Sequence, residues 1–317
     1  MSSHPSRWSG LHPIVLGLLL SMASWASVVA AAEVPTRIAF PSGMNGQIVV
    51  TMDKANIAKA NGLDAQFLPF QYGPPMMEAL AAGSLDIVVT SMMPVASYAS
   101  KIPGDIKVVA VINTSSHALM VAKDSDVTGP ASLTGKKVGV SFGSDSHLDT
   151  LIWLRENGLA GKVSLINIQP GDLATSLSNK SVDAIVIRQP QVLRLQQQSG
   201  AKIIKSWSLD YISIAKVKFI KEHPEELRKY LSALRDSALF MVKNPEQSAA
   251  WFADYLRTDP AIIEEVGKED PNHSVTDIAQ IDLSVKSADR QMIETKLREA
   301  YEEKLIRQKV DPDLLMP

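Results

Sequence analysis

The stretch Leu85-Asp86-Ile87-Val88-Val89-Thr90 constrains the fold more than any other part of the chain. It is a continuous apolar strand without the alternation expected when one face meets water, so it belongs in a parallel sheet buried on both sides. Parallel strands need crossover connections, which are usually helical. The flanks supply them: Pro74 and Pro75 start a helix that ends at Ala82-Gly83. The exit Ser91-Met92-Met93-Pro94 feeds another helix beginning near Pro94.

The same alternation of strand and helix runs through most of the sequence. A first strand over 36–40 leads through the loop Pro41-Ser42-Gly43-Met44-Asn45-Gly46 into a helix over about 47–60, which Asn61-Gly62 ends. A second strand spans 63–70. Strands over 106–112 and 117–122 follow, then 137–140, 163–167 and 184–187, separated by helices at about 145–157, 172–178 and 190–199. A last short strand is expected at 201–204. Beyond Lys216 the pattern is all-helical, with starts at Pro224-Glu225-Glu226, Asn244-Pro245-Glu246 and Asp259-Pro260 and a long charged amphipathic helix over 286–307. These are two βα halves of an α/β fold followed by a helical tail, and the break in strand spacing excludes a single closed barrel.

Within the second half, Leu133 to His147 reads as a tight turn at Gly135, a short strand, and a small polar loop that opens a helix. Ser144, Asp145 and Ser146 are all candidate N-caps. A helix start leaves N–H groups unpaired at the positive end of the peptide dipoles, so this loop suits an anionic or hydrogen-bond-accepting group, or it is simply a capped helix.

Ligands in open α/β sheets sit beyond the carboxyl ends of the strands. The loops that qualify are 41–46, 91–94, 113–117, 141–147 and 188–190. They supply Ser42, Gly43, Met44 and Asn45, then Ser91 and Met92, Ser115 and Ser116, Ser141, Phe142, Gly143, Ser144 and His147, and finally Arg188 and Gln189. Met44 and Met92 are placed at strand ends, whereas most methionines here fill core. His117 reads as a hinge or core histidine. Trp207 either faces the cleft or covers a seam.

Arg7, the apolar run 14–20 and the small residues 28–32 form a secretory signal over residues 1 to about 32. The apolar core is too short for a comfortable membrane span, so a soluble mature chain is expected. There is no cysteine, hence no lipidated thiol and no disulfide framework. A formal net charge of −2 gives no electrostatic footprint for nucleic acid or anionic membrane. The remaining stretch of about 285 residues suffices for one large domain or two lobes.

Ala82-Gly83-Ser84-Leu85-Asp86 closing on Pro94, the run Ser132 to Val140, Ser181-Val182-Asp183-Ala184 closing on Pro190, and the tail from Pro224 with Asn244-Pro245-Glu246 together resemble the solute-binding proteins of ABC importers. The branch is the one for nitrate, sulfonates and taurine, to which pyrimidine-precursor binders are related. The resemblance implies a two-lobed type II periplasmic binding fold with a helical C-terminal tail. Lobe 1 would be 33–118 plus 206–317 and lobe 2 would be 119–205, with the chain crossing near 118 and 205. It also implies a periplasmic monomer that takes a small solute between closing lobes and delivers it to an inner-membrane permease, with no cofactor and no catalysis.

The chain departs from that pattern at Ile187-Arg188-Gln189-Pro190, where an aromatic often precedes the proline, and in the first loop, which also lacks an aromatic. Arg188 either clamps a carboxylate, sulfonate or phosphate or pairs with an acid of the other lobe. The solute expected is a small organic anion, the alternative a neutral or cationic heterocycle such as a pyrimidine, disfavoured by the few cleft aromatics, Phe142 and Tyr72. From another class, Gly139-Val140-Ser141-Phe142-Gly143 fits G-x-S-x-G, with Asp183 and His223 or His273 following in hydrolase order, but no Gly-rich oxyanion loop lies upstream. The span from Gly129 to Gly135-Lys136 has the wrong spacing for a phosphate loop. Histidines 117, 147, 223 and 273 are too scattered to suggest a metal site.

Overall fold

The computed structural model describes residues 35–317, and the expected secretory signal at 1–32 lies outside the described residues. In chain order the elements are β1 (Thr36–Pro41), α1 (Gln47–Lys54), α2 (Ile57–Ala60), β2 (Ala65–Phe70), α3 (Gly73–Ala81), β3 (Ile87–Thr90), α4 (Met92–Ala99) and β4 (Ile106–Val121). Then come β5 (Lys137–Val140), α5 (Asp145–Glu156), β6 (Ser164–Asn167), α6 (Pro170–Ser178), β7 (Ala184–Arg188), α7 (Gln191–Ser199) and β8 (Lys202–Lys216). The tail carries α8 (Val217–Glu222), α9 (Pro224–Lys243), α10 (Pro245–Leu256), α11 (Pro260–Gly267) and α12 (Ser287–Glu302).

The strands form one mixed sheet in the order β2-β1-β3-β8-β4-β7-β5-β6. β1 pairs in parallel with β2 and β3, and β5 pairs in parallel with β6 and β7. Between these two parallel groups run the long strands β4 and β8, antiparallel to each other along nearly their whole length. β3 is antiparallel to β8 and β7 antiparallel to β4, so the long pair carries one parallel group at each end.

Each half of the sheet is covered on both faces, as the apolar β3 demands. On the β1–β3 half, Ile38, Ile87 and Val89 pack with α1, α9 and α10 through Val49, Tyr230, Leu234 and Phe252. The opposite face packs Val88 with α3, α4 and α12 through Met76, Leu80, Met93 and Leu297. On the β5–β7 half, Ile185 and Ile187 meet Leu173 and Leu195 of α6 and α7, and Val138, Val140 and Val186 meet Leu154 of α5. Leu148 of α5 reaches across into the α4 and α12 cluster, so these cores touch at α5.

Four sequence expectations are corrected. The strands expected at 106–112 and 117–122 are the single β4, and the short strand at 201–204 is the first part of the 15-residue β8. Asn113-Thr114-Ser115-Ser116 looks like a loop because it is polar, but it pairs with Tyr211, Asp210, Leu209 and Ser208. Cross-strand bonding holds this segment straight between the two cores, and polar side chains are tolerated there because neither core needs them. The helix expected over 47–60 breaks at Asn56, whose φ of 56° is left-handed. The last long helix stops at Glu302, short of residue 307. Among the described residues no helix is long and apolar enough to cross a membrane.

Candidate functional site

The chain ends of β1, β5 and β7 open on a cavity of about 420 Å³. Its walls come from the loop after β1 (Pro41, Ser42, Gly43), the loop after β2 (Gln71, Tyr72), the start of α5 (Ser141, Ser144, Ser146), the end of β7 (Arg188, Gln189), the start of α6, α7 (Gln191, Arg194) and the end of α10 (Tyr255, Leu256). Both halves of the sheet therefore contribute, as ligand sites at strand carboxyl ends do. Among the described residues two arginines line it, and no aspartate or glutamate does.

The β1 loop is fixed by close packing. Ser42 Oγ donates to the Gln71 carbonyl at 2.9 Å, tying the loops after β1 and β2 together. A Cβ on Gly46 would lie 2.2 Å from the Pro41 carbonyl oxygen, so only glycine allows the chain to turn into α1 so tightly. Beside Gly43, Asn45 is fully buried and neither its Oδ1 nor its Nδ2 has a hydrogen-bond partner among the described residues. The Tyr211 hydroxyl is buried and unpartnered next to it, and burial pushes its pKa up to about 12.

The α5 entry is held by its own polar groups. Ser144 caps the helix, accepting from the His147 N–H at 3.3 Å and donating to the Ser141 carbonyl at 2.7 Å. Ser141 Oγ donates to the Ile168 carbonyl at 2.8 Å. Phe142 is stacked on the His147 ring at 4.2 Å, and burial lowers the His147 pKa to about 4, so the imidazole is neutral at physiological pH.

Asp145, 1% exposed, is the anchor between α5 and the other half of the sheet. Ser91 Oγ donates to Oδ2, the Met93 N–H donates to Oδ1 at 3.1 Å, and Arg188 Nη2 lies 3.4 Å from Oδ2. Arg188 is thus paired with an acid from its own half of the sheet, while its other contact, Ser91 Oγ at 3.4 Å, comes from the other half. A second chain of contacts runs inside α5. His117 Nδ1 is 3.3 Å from Ser146 Oγ, its Nε2 is 3.1 Å from Asp149 Oδ2, and Asp149 Oδ1 accepts from Lys296 of α12 at 2.7 Å. Burial holds the His117 pKa below its ordinary value; burial pushes the Asp149 carboxyl up, but His117 and Lys296 outweigh it and the net shift is downward.

The structure brings together on the cavity wall six of the expected residues: Ser42, Gly43, Ser141, Ser144, Arg188 and Gln189. Met44 and Ser115 line a separate small cavity against α9 and α11, and Ser116 with Ser115 donates to Glu269, which also accepts from Gln189 Nε2 at 2.8 Å. Asn45, Ser91 and Met92 are buried behind the wall. Phe142, Gly143 and His147 form the outer turn of the α5 entry and do not line the cavity. Trp207 packs on His117 and edge-on to Trp153, covering the seam.

Sequence reasoning missed Gln71, Ser146, Gln191, Arg194 and Tyr255. The signal for Arg194 was weak, because a polar residue inside a helix normally faces water. Among the described residues no histidine is hydrogen-bonded to Ser141, and Asp183 accepts from Lys137 N at the opposite end of β5, so the hydrolase order is not assembled. Among the described residues no group of three or more His, Cys, Asp or Glu is placed to hold a metal ion.

Comparison with known proteins places this geometry. A candidate binding protein of Brucella abortus (strain 2308) is 25% identical over 263 residues, 80% of this chain and 81% of its own length. The taurine-binding periplasmic protein of Escherichia coli (strain K12) is 25% identical over 224 residues, 68% of this chain and 69% of its own. The alkanesulfonate-binding protein SsuA from Xanthomonas axonopodis pv. citri, solved bound to MOPS, superposes with a TM-score of 0.75 at 17% identity, covering 87% of this chain and 95% of that one. That likeness establishes the periplasmic binding protein fold with its helical C-terminal region. A family model described as NMT1/THI5 like matches residues 59–248, most of the sheet and the first tail helices, and on that match the chain belongs to the NMT1/THI5-like family.

Proposed function

We propose that this protein is the periplasmic receptor of an ABC importer and binds a small organic anion, sulfonate- or carboxylate-like, without transforming it. The observation that carries the reading is the cavity at the strand ends, walled by both halves of the sheet, with two arginines and no carboxylate on its lining among the described residues. Guanidinium groups in a partly dehydrated cleft favour anions that present two acceptor oxygens and disfavour cations. The relatives point the same way, since one is named for taurine and a structural neighbour for alkanesulfonates.

In this reading 33–118 plus 206–317 and 119–205 are two lobes, with β4 and β8 as the paired crossover. A solute that touches both favours the closed form, which a permease then recognises. The test is a thermal-shift screen of the mature protein over sulfonates, carboxylates, nitrate, amines and nucleobase precursors. An organic anion at about a hundred times its dissociation constant should add about 2.7 kcal/mol of stability. A response to amines or nucleobase precursors alone would transfer the assignment to the heterocycle alternative.

A further inference from the structure

The two arginines on the cavity wall are in different electrostatic situations. Arg188 already faces the buried Asp145 and the Ser91 hydroxyl. Arg194, the fourth residue of α7, lines the same cavity, and its side chain has no hydrogen bond or ion pair among the described residues. Its Nε is shielded from solvent without a partner. Gln191, three residues earlier and therefore on the same helix face, also lines the cavity, with Oε1 shielded and unpartnered.

Resting on the receptor reading above, we infer that Arg194 is the residue that receives the solute's acidic group, and that the solute is a mono-anion with an apolar body and no ammonium group. The second part follows from the rest of the wall. Beside two guanidiniums an ammonium needs the full counter-charge of a carboxylate, and among the described residues none lines the cavity. Asp145 is occupied by Arg188, Ser91 and the Met93 N–H, and Glu269 lies among Ser115, Ser116 and Gln189 and is not part of the lining. An amine entering the site would lose water beside two guanidiniums and gain no counter-charge. Leu173, Ile187, Tyr72 and Tyr255 instead offer aliphatic and ring surface, in a volume suited to ligands well above the two-carbon size of taurine.

The experiment is calorimetric titration of wild-type protein, Arg194→Gln and Arg194→Lys with benzenesulfonate, hexane-1-sulfonate, taurine and the neutral benzenesulfonamide. Wild type should bind the two amine-free sulfonates at least about tenfold tighter than taurine, a difference of about 1.4 kcal/mol. Arg194→Gln should lose at least about tenfold for both sulfonates and leave benzenesulfonamide unchanged, with Arg194→Lys intermediate because it keeps the charge but not the fork. Equal sulfonate affinity in wild type and Arg194→Gln, or taurine binding as tightly as benzenesulfonate, overturns the inference. Should Arg194→Gln fail to fold, Arg194→Lys and the wild-type ranking decide. Wild type binding none of the three sulfonates overturns the anion-receptor reading itself, a result distinct from anion binding that ignores Arg194.

Discussion

Asp145 at the entrance of α5 is 1% exposed, and Arg188 supplies the only cationic partner within ion-pair distance of it among the described residues. Removing one member of such a pair leaves an uncompensated charge in a poorly hydrated place. Arg188→Met should therefore destabilise the protein by about 2–3 kcal/mol, and adding Asp145→Asn should restore most of the loss. Denaturant unfolding of both variants measures this, and an unaltered midpoint for Arg188→Met would show that the pair carries no such strain. His147 gives a pH dependence of definite sign. Its folded pKa, lowered by burial to about 4, lies below the ordinary 6.5. The unfolded chain therefore takes up a proton that the folded one refuses, and stability is lost as pH falls from 6.5 towards 4, by up to about 3 kcal/mol. Above that window His147 contributes nothing. Asp270, raised by burial to about 6, acts oppositely, its penalty growing as pH rises from about 4 to about 6. His147→Gln, which keeps an acceptor for the Gly143 N–H, separates the two. Relative to wild type it should be about 2 kcal/mol better off at pH 4.5 than at pH 7.5. Parallel stability curves for the two proteins would refute this.

At the level of elements, the β1 loop and α1 are joined by a glycine whose importance is steric. Gly46 has an ordinary φ of −76°, but an added Cβ would meet the Pro41 carbonyl at 2.2 Å and Phe252 at 3.3 Å. Gly46→Ala should cost about 3 kcal/mol or more, because backbone must move to make room. Gly83→Ala is the informative companion. Its φ of 75° is left-handed and its surroundings are open, so it should cost only about 1 kcal/mol. Thermal unfolding of the two variants checks the order, and a larger loss at Gly83 would show that the tight approach at Gly46 is not the constraint. Most elements were legible in the sequence because Pro, Gly and Asn punctuate them. β5 was read at its observed bounds, and β7 and α5 to within a residue. β4 and β8 were not, because a strand that leaves one core to enter another is polar where it crosses, and local pattern reads polarity as loop.

For the whole molecule, α5 is tied to segments outside 119–205 at several points. Asp145 reaches Ser91 and Met93, Asp149 reaches Lys296 and Arg155 reaches Glu303 at 2.6 Å, while Gln189 reaches Glu269 on another side. Of these residues only Gln189 lines the cavity, and the apolar side chains that cross between the halves are few, Leu148, Ile152, Leu193 and Trp207 among them. Polar contacts exchange with water at low net cost, whereas the cores on each side do not, so the proposed motion is rotation of two rigid bodies about β4 and β8. Solution X-ray scattering should then show a smaller radius of gyration with a bound organic anion than after its exhaustive dialysis. An identical radius in both states would exclude closure as the means of signalling to a permease.

Sequence alone determined the α/β class, the helical tail and the order of the elements, and of the five loops it named at strand ends those over 41–46, 141–147 and 188–190 reach the cavity, because these depend on local periodicity and on residues such as Pro94 and Gly135 whose backbone preferences act over a few neighbours. The different surroundings of Arg188 and Arg194 were set only by tertiary structure. Asp145 lies 43 residues from Arg188 and pairs with it through space, and the face of α7 that carries Gln191 and Arg194 looks polar from its sequence whether it meets water or a cavity. Charge compensation and solvent access are set by segments distant along the chain, and no local pattern encodes them.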